Sequence, residues 1–201
     1  MNPIVVAVCV ILWLYILRVL TRAELHAWRF LWGCMGLFIF LMLVVQPILT
    51  LPLARSVSAL AGAVGSLTNT FSAYFKYGII YVPAATGSIT LQVDFECSGI
   101  IEVMAFLSLL AFFNVYSRTE KIMVGIVGFA LMVLFNALRI MIICLSVHFF
   151  GINAYYITHM FVGRLFFYAF SVLLYFYVFT KPQIVQMKIG NFAYGHSKTN
   201  S

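Results

Sequence analysis

The chain has 201 residues, of which 64% are hydrophobic and 8% charged, with 20 Phe, 11 Tyr and a mean hydropathy of +1.07. Soluble domains carry roughly 45–50% apolar and about 25% charged residues. A water-soluble globule and a disordered chain are therefore excluded, and a multispan membrane protein is left. The net charge of +7 comes from 12 Lys/Arg against five acids. These bases sit at the ends of apolar runs, which reads as membrane orientation and speaks against nucleic acid as a partner.

Residues 3–20 form an apolar run broken only by Arg18. No basic segment precedes it and no small-residue cleavage site follows, so a retained span is expected. The stretch Arg18–Arg29 holds three Arg, one His and one Glu. A second span is predicted over about 30–51, with Pro47 kinking or ending it. Over 54–76, Val57, Leu60, Ala61, Val64, Leu67, Phe71 and Tyr74 recur at helical spacing, while Arg55, Ser58, Ser66, Asn69, Ser72 and Lys76 take much of the remaining surface. That pattern suits an amphipathic helix lying in the membrane interface. Charge parity agrees. With 54–76 not crossing, Arg18–Arg29, Arg118 with Lys121, and Lys181, Lys188 and Lys198 all fall on one side, as the positive-inside rule asks.

Ile89, Leu91, Val93 and Phe95 alternate with Thr90, Gln92, Asp94 and Glu96, a period-two strand. Tyr77–Val82 is placed to pair with it across Pro83–Gly87. Hydrocarbon does not tolerate an open strand edge, so this hairpin is expected outside the bilayer. Three further spans are predicted over about 98–116, 122–147 and 159–180, joined by a Ser117–Lys121 turn and a Val147–Thr158 loop. The expected fold is an all-α polytopic membrane protein: five transmembrane helices, one interfacial amphipathic helix and a small extracytoplasmic β-hairpin. It forms a single membrane-embedded domain over 1–180, and 181–201 reads as a polar, disordered cytoplasmic tail.

Four cysteines show no CxxC and no close pair, which gives little support to a disulfide framework, a zinc site or a redox pair. Cys9, Cys34 and Cys144 lie in apolar runs and read as small core hydrophobes. Cys97 differs, because it follows a polar strand and opens a helix whose free N–H groups and dipole favour a thiolate. Glu96 opposes this by like-charge repulsion unless it is paired. Arg139 falls inside the fourth span, roughly 12 Å below its outer end at about 1.5 Å per residue. An Arg there costs about 2.5–3.5 kcal/mol on insertion scales, which points to a function, or to a pairing with Glu102 that locks helices together. Asn136, three residues earlier, shares its face.

His159 opens the fifth span from the same side and has the titration range of a general acid or base. His148, at the outer end of the fourth span, is the competing base. Arg164 lies about 140° round an α-helix from His159 and is expected to reach headgroups or an acid instead. His26 and His196 fall on the cytoplasmic side. A thiol, a guanidinium and an imidazole from three helices are thus expected at one depth.

Phe95-Glu96-Cys97-Ser98-Gly99-Ile100, then Asn136-Ala137-Leu138-Arg139-Ile140, then His159 with Gly163, resemble the exosortase/archaeosortase family in order, spacing and placement on separate helices. The resemblance covers about residues 92–165, the expected catalytic core. It implies a polytopic plasma-membrane cysteine transpeptidase that recognises C-terminal sorting tails, made of a short motif, a transmembrane helix and a basic cluster. Such an enzyme cuts near the motif and passes the new carboxyl end to an acceptor. Many members have around eight spans, so this chain resembles a compact, Gram-positive-type form.

Carried over, Cys97 is the nucleophile, Arg139 the cationic partner and His159 the acid/base. Asn136, Glu96, Ser98, Gly99, Glu102, Arg164 and His148 are candidates for substrate binding or support. The implied partners are a membrane-anchored substrate protein, an acceptor nucleophile and the surrounding lipids, with no metal or organic cofactor. Two other readings stay open. One is a non-catalytic membrane scaffold or transport component of a polymer-export system, with Arg139 structural. The other is a membrane acyltransferase using His159 or His148, for which the thiol is dispensable.

Overall fold

A computed structural model of the chain describes residues 3–84, 87–95 and 97–184. Glu96 lies outside the described residues, as do Lys188, His196 and Lys198 of the tail. The described residues form six helices: α1 (Pro3–Arg22), α2 (His26–Val44), α3 (Gln46–Thr68), α4 (Ile100–Phe112), α5 (Arg118–Phe150) and α6 (Ala154–Ile184). Two stretches of α6 are π-helical, Thr158–Val162 and Phe176–Thr180. Five helices, α1, α2, α3, α5 and α6, are long and apolar enough to cross a membrane. The number agrees with the five expected, although the set differs: α3 qualifies, while α4 is a shorter apolar helix of 13 residues.

Local chemistry explains the boundaries. The predicted 30–51 span divides at Val45, and Pro47 sits in the first turn of α3, where a missing N–H is no loss. α3 ends at Asn69, whose left-handed φ of 51° closes it. It therefore absorbs the 54–68 part of the amphipathic pattern, and the rest of that pattern leaves the helix. α4 starts late because Gly99 takes φ 74° just before it. α5 starts at a capping box: Ser117 Oγ accepts the Glu120 N–H at 3.4 Å while the Glu120 carboxylate accepts the Ser117 N–H at 2.7 Å.

Three antiparallel strands, β1 (Ser72–Tyr74), β2 (Ile79–Ala84) and β3 (Gly87–Gln92), form one sheet in the order β1-β2-β3. Register pairs Ser72 with Tyr81 and Ile79 with Gln92. The predicted hairpin thus gains a third strand, which the helical spacing of Phe71 and Tyr74 had concealed. The sheet lies along α3: a side chain at Gly62 would collide with Ala73, and one at Gly65 with Phe71. A sheet edge cannot face hydrocarbon, whereas α3, predicted to lie in the interface, is by length and composition one of the helices able to cross the membrane.

α5 has 33 residues, about 50 Å at 1.5 Å per residue, well beyond a hydrocarbon core of about 30 Å. Its last turns reach the sheet, where His148 Nδ1 donates to Pro83 O at 2.7 Å. The core sits where these layers meet, with Val57 of α3, Ile80 and Val82 of β2, Ile100 and Phe106 of α4, and Ile143 and Val147 of α5 buried.

Candidate active site

The segment between β3 and α4 is built to hold one thiol. Asp94 Oδ1 accepts the Cys97 N–H at 3.2 Å, an Asp side chain folding the backbone three residues on. Ser98 Oγ donates to Phe95 O at 2.9 Å, so its hydroxyl is spent on the turn. Asn136 Nδ2 donates to Cys97 O at 2.7 Å, tying the turn to α5. Gly99 allows this on two counts. Its φ of 74° suits glycine, and an added Cβ would stand 3.3 Å from the Asn136 side chain.

His159 comes from the first π-helical stretch of α6. Its Nε2 lies 3.2 Å from Cys97 Sγ, across 62 positions of sequence. The ring of Tyr155, one turn earlier, stacks on the imidazole with centroids 5.2 Å apart and planes at 25°. π-helical turns are rare and recur at functional sites. Here the turn also changes the expected bearing of Arg164. In a π-turn the i→i+5 bond replaces i→i+4, so the 140° α-helical offset from His159 does not apply across Thr158–Val162.

Arg139 is 4% exposed on α5, one turn beyond Asn136. Counted from Arg118 it is about 31 Å along the helix, the thickness of a hydrocarbon core. α5 continues to Phe150, beyond the predicted end at 147. Its Cζ lies 5.9 Å from the centroid of the buried Phe167 ring, at the outer limit of a cation–π contact. Gly163 makes the approach possible, because a Cβ there would stand 3.2 Å from Arg139 Cγ and 3.1 Å from Ile143 Cδ1.

Among the described residues the buried Nε of Arg139, Oδ1 of Asn136 and Oγ of Ser171 have no hydrogen-bond partner. Among the described residues Arg139 makes no ion pair, so the expected alternative of a lock with Glu102 is absent there. Instead, the Glu102 backbone carbonyl accepts the Tyr175 hydroxyl at 3.3 Å.

A family model for transmembrane exosortases matches residues 2–176. The chain belongs to the transmembrane exosortase family. No curated protein and no solved structure matches it. The family match extends beyond the motif region at 92–165 to include α1, α2 and α3.

In this exosortase-family chain Cys97, Asn136 and His159 come together directly, and Arg139 lies one helical turn from Asn136. His148 is fastened to the sheet through Pro83 O, away from the thiol that His159 meets. Glu96 lies outside the described residues. Two participants escaped the sequence reading. Tyr155 is one of 11 tyrosines, and only its four-residue spacing from His159 hints at the stack. Asp94 looks like the polar half of a strand alternation, whereas its three-residue spacing from Cys97 is the signature of a side-chain-capped turn. Among the described residues no group of three His, Cys, Asp or Glu side chains is disposed to hold a metal ion.

Proposed function

We propose that this exosortase-family chain is a membrane cysteine transpeptidase that cleaves C-terminal sorting tails of exported proteins and transfers them through a thioester. The observation that carries the reading is the 3.2 Å approach of His159 Nε2 to Cys97 Sγ, the reach required of a nucleophile and its base. The imidazole takes the thiol proton as sulfur attacks the scissile carbonyl carbon, whose π electrons move onto oxygen. The C–N bond then breaks, and the leaving amine takes the proton from the imidazolium. An acceptor amine, hydroxyl or water gives a proton to the same ring, attacks the thioester, and expels the thiolate.

His159 already faces the sulfur, so the oxyanion falls to Arg139, a desolvated cation with an uncommitted Nε. Removing one such preorganised donor slows comparable reactions by about 10²–10³. The reading places the site on the extracytoplasmic side of the plasma membrane, with the C-terminus cytoplasmic. A substrate anchored by its own helix would then reach Cys97 laterally through the lipid.

The test is mass spectrometry of the chain expressed with a tailed substrate. An acyl adduct on Cys97 is expected on the unsubstituted chain, and it should be lost in His159→Ala, where the thiol keeps its proton and the leaving amine has no acid. Cys97→Ala should leave the substrate uncleaved, while Cys9, Cys34 and Cys144 tolerate substitution. Undiminished processing by Cys97→Ala would overturn the proposal in favour of the scaffold or acyltransferase readings.

A further inference from the structure

Among the described residues no further strand pairs with β3, the edge of the sheet that leads into the catalytic turn. Val93 N–H donates to Gly78 O at 2.8 Å, and the register continues this alternation through Ile80–Leu91, Val82–Ile89 and Ala84–Gly87. In an antiparallel ladder the residues between such pairs turn their backbone groups the other way. Ser88, Thr90 and Gln92 therefore direct their N–H and C=O groups away from β2. Pro83 fits this phase, since it stands opposite Ser88, where the β2–β3 ladder asks for no donor. β3 is the last strand of the order β1-β2-β3, and the side chains of Ser88, Thr90 and Gln92 are exposed.

We propose that this edge docks the substrate: an extended polypeptide segment adds to β3 as a fourth strand along Ser88–Gln92 and is delivered to Cys97. The proposal rests on the transpeptidase reading. The occupant's chemistry follows from the edge, where donors and acceptors repeat every two residues, about 6.6–6.8 Å apart. An extended peptide backbone complements that spacing. Natural edge strands are commonly guarded by Lys, Pro or a bulge, whereas the outward positions here are Ser, Thr and Gln. Beyond Gln92 the chain passes Val93 to Asp94, whose carboxylate holds the Cys97 N–H at 3.2 Å. A cavity of about 350 Å³ at this end of the strand, lined in part by Gln46, Thr50, Tyr77, Gln92 and Asp94, leaves room for a substrate side chain.

The test uses the full-length chain in lipid nanodiscs and two alkylating probes, iodoacetamide and acetyl-tetra-alanyl chloromethyl ketone. In each case the Cys97 thiolate forms an S–C bond and halide leaves, which intact-mass measurement follows. Thr90→Pro removes one outward N–H and leaves the bonds to β2 in place. It should slow the peptidyl ketone about tenfold, the scale of one or two backbone hydrogen bonds, with iodoacetamide within about twofold. On the unsubstituted chain, N-methylating the ketone at alternate residues should produce the same loss in one of the two phases, which removes misfolding as an explanation. Equal rates for Thr90→Pro and the unsubstituted chain, or for both N-methylated ketones and the parent ketone, would overturn the docking edge. Failure of the underlying reading shows separately, as an iodoacetamide rate at Cys97 that His159→Ala does not change.

Discussion

Helices α1 and α5 are both apolar enough to cross a membrane, yet they live in different surroundings. No described side chain of α1 is buried, whereas α5 buries ten residues, among them Asn136, Arg139 and Cys144. Hydropathy measures transfer out of water and does not distinguish lipid from protein as the destination. Lipid tails supply no hydrophobic drive between helices, so close packing and polar bonds must hold them. Between α1 and α2, Trp13 Nε1 donates to Trp32 O at 2.9 Å, over a glycine, Gly36, that leaves room for the indole. α5 packs far more closely. A side chain at its Gly128 would collide with Phe106, and Gly163 of α6 admits Arg139. Of the groups that carry the proposed chemistry, Cys97, Asn136 and Arg139 are buried in protein, and His159 is half-buried.

Four substitutions test that contrast. Arg139→Met keeps the aliphatic stem against Gly163 and Phe167 but removes the charge, and should lower substrate processing by about 10²–10³ while iodoacetamide still alkylates Cys97. Full activity in this variant would make the guanidinium a packing element only. Asn136→Ala leaves the Cys97 carbonyl buried without its partner and should cost about 1–3 kcal/mol, read as a lowered denaturation midpoint in nanodiscs. Gly99→Ala forces a Cβ into a left-handed backbone beside Asn136, worth about 1–2 kcal/mol. A stability matching the unsubstituted chain would show that the turn relaxes. Leu12→Ile in lipid-facing α1 should stay within about 0.5 kcal/mol. A loss there comparable to that of Asn136→Ala would mean that α1 has a protein neighbour as demanding as α5 has.

Much of the site was legible before any coordinates. Cys97 stood apart from Cys9, Cys34 and Cys144 because polar turn residues surround it, and Arg139 because a charge in an apolar run costs free energy. The spacing of Asn136 and Arg139 put them on one face. The element boundaries were less legible. Residues 54–76 show one helical period, yet the helix stops at Asn69, and Ser72–Tyr74 leaves it to pair with β2. Strand pairing with partners five to nine residues away outweighs a weak local period. Local reasoning favoured His159 over His148 without deciding between them, since both sit at helix ends with the same ring chemistry.

Partition between water and hydrocarbon adds up residue by residue, and turn and cap chemistry act over three or four positions. Membrane class, the approximate placement of the helices, and the singling out of Cys97 and Arg139 were for that reason written in the linear order of the chain. Which imidazole meets the sulfur, that a third strand rides on α3, and that Tyr155 and Asp94 brace the pair all depend on contacts between segments far apart in sequence. The 62 positions separating Cys97 from His159 are bridged by helix packing and by one π-turn, and no local rule contains that information.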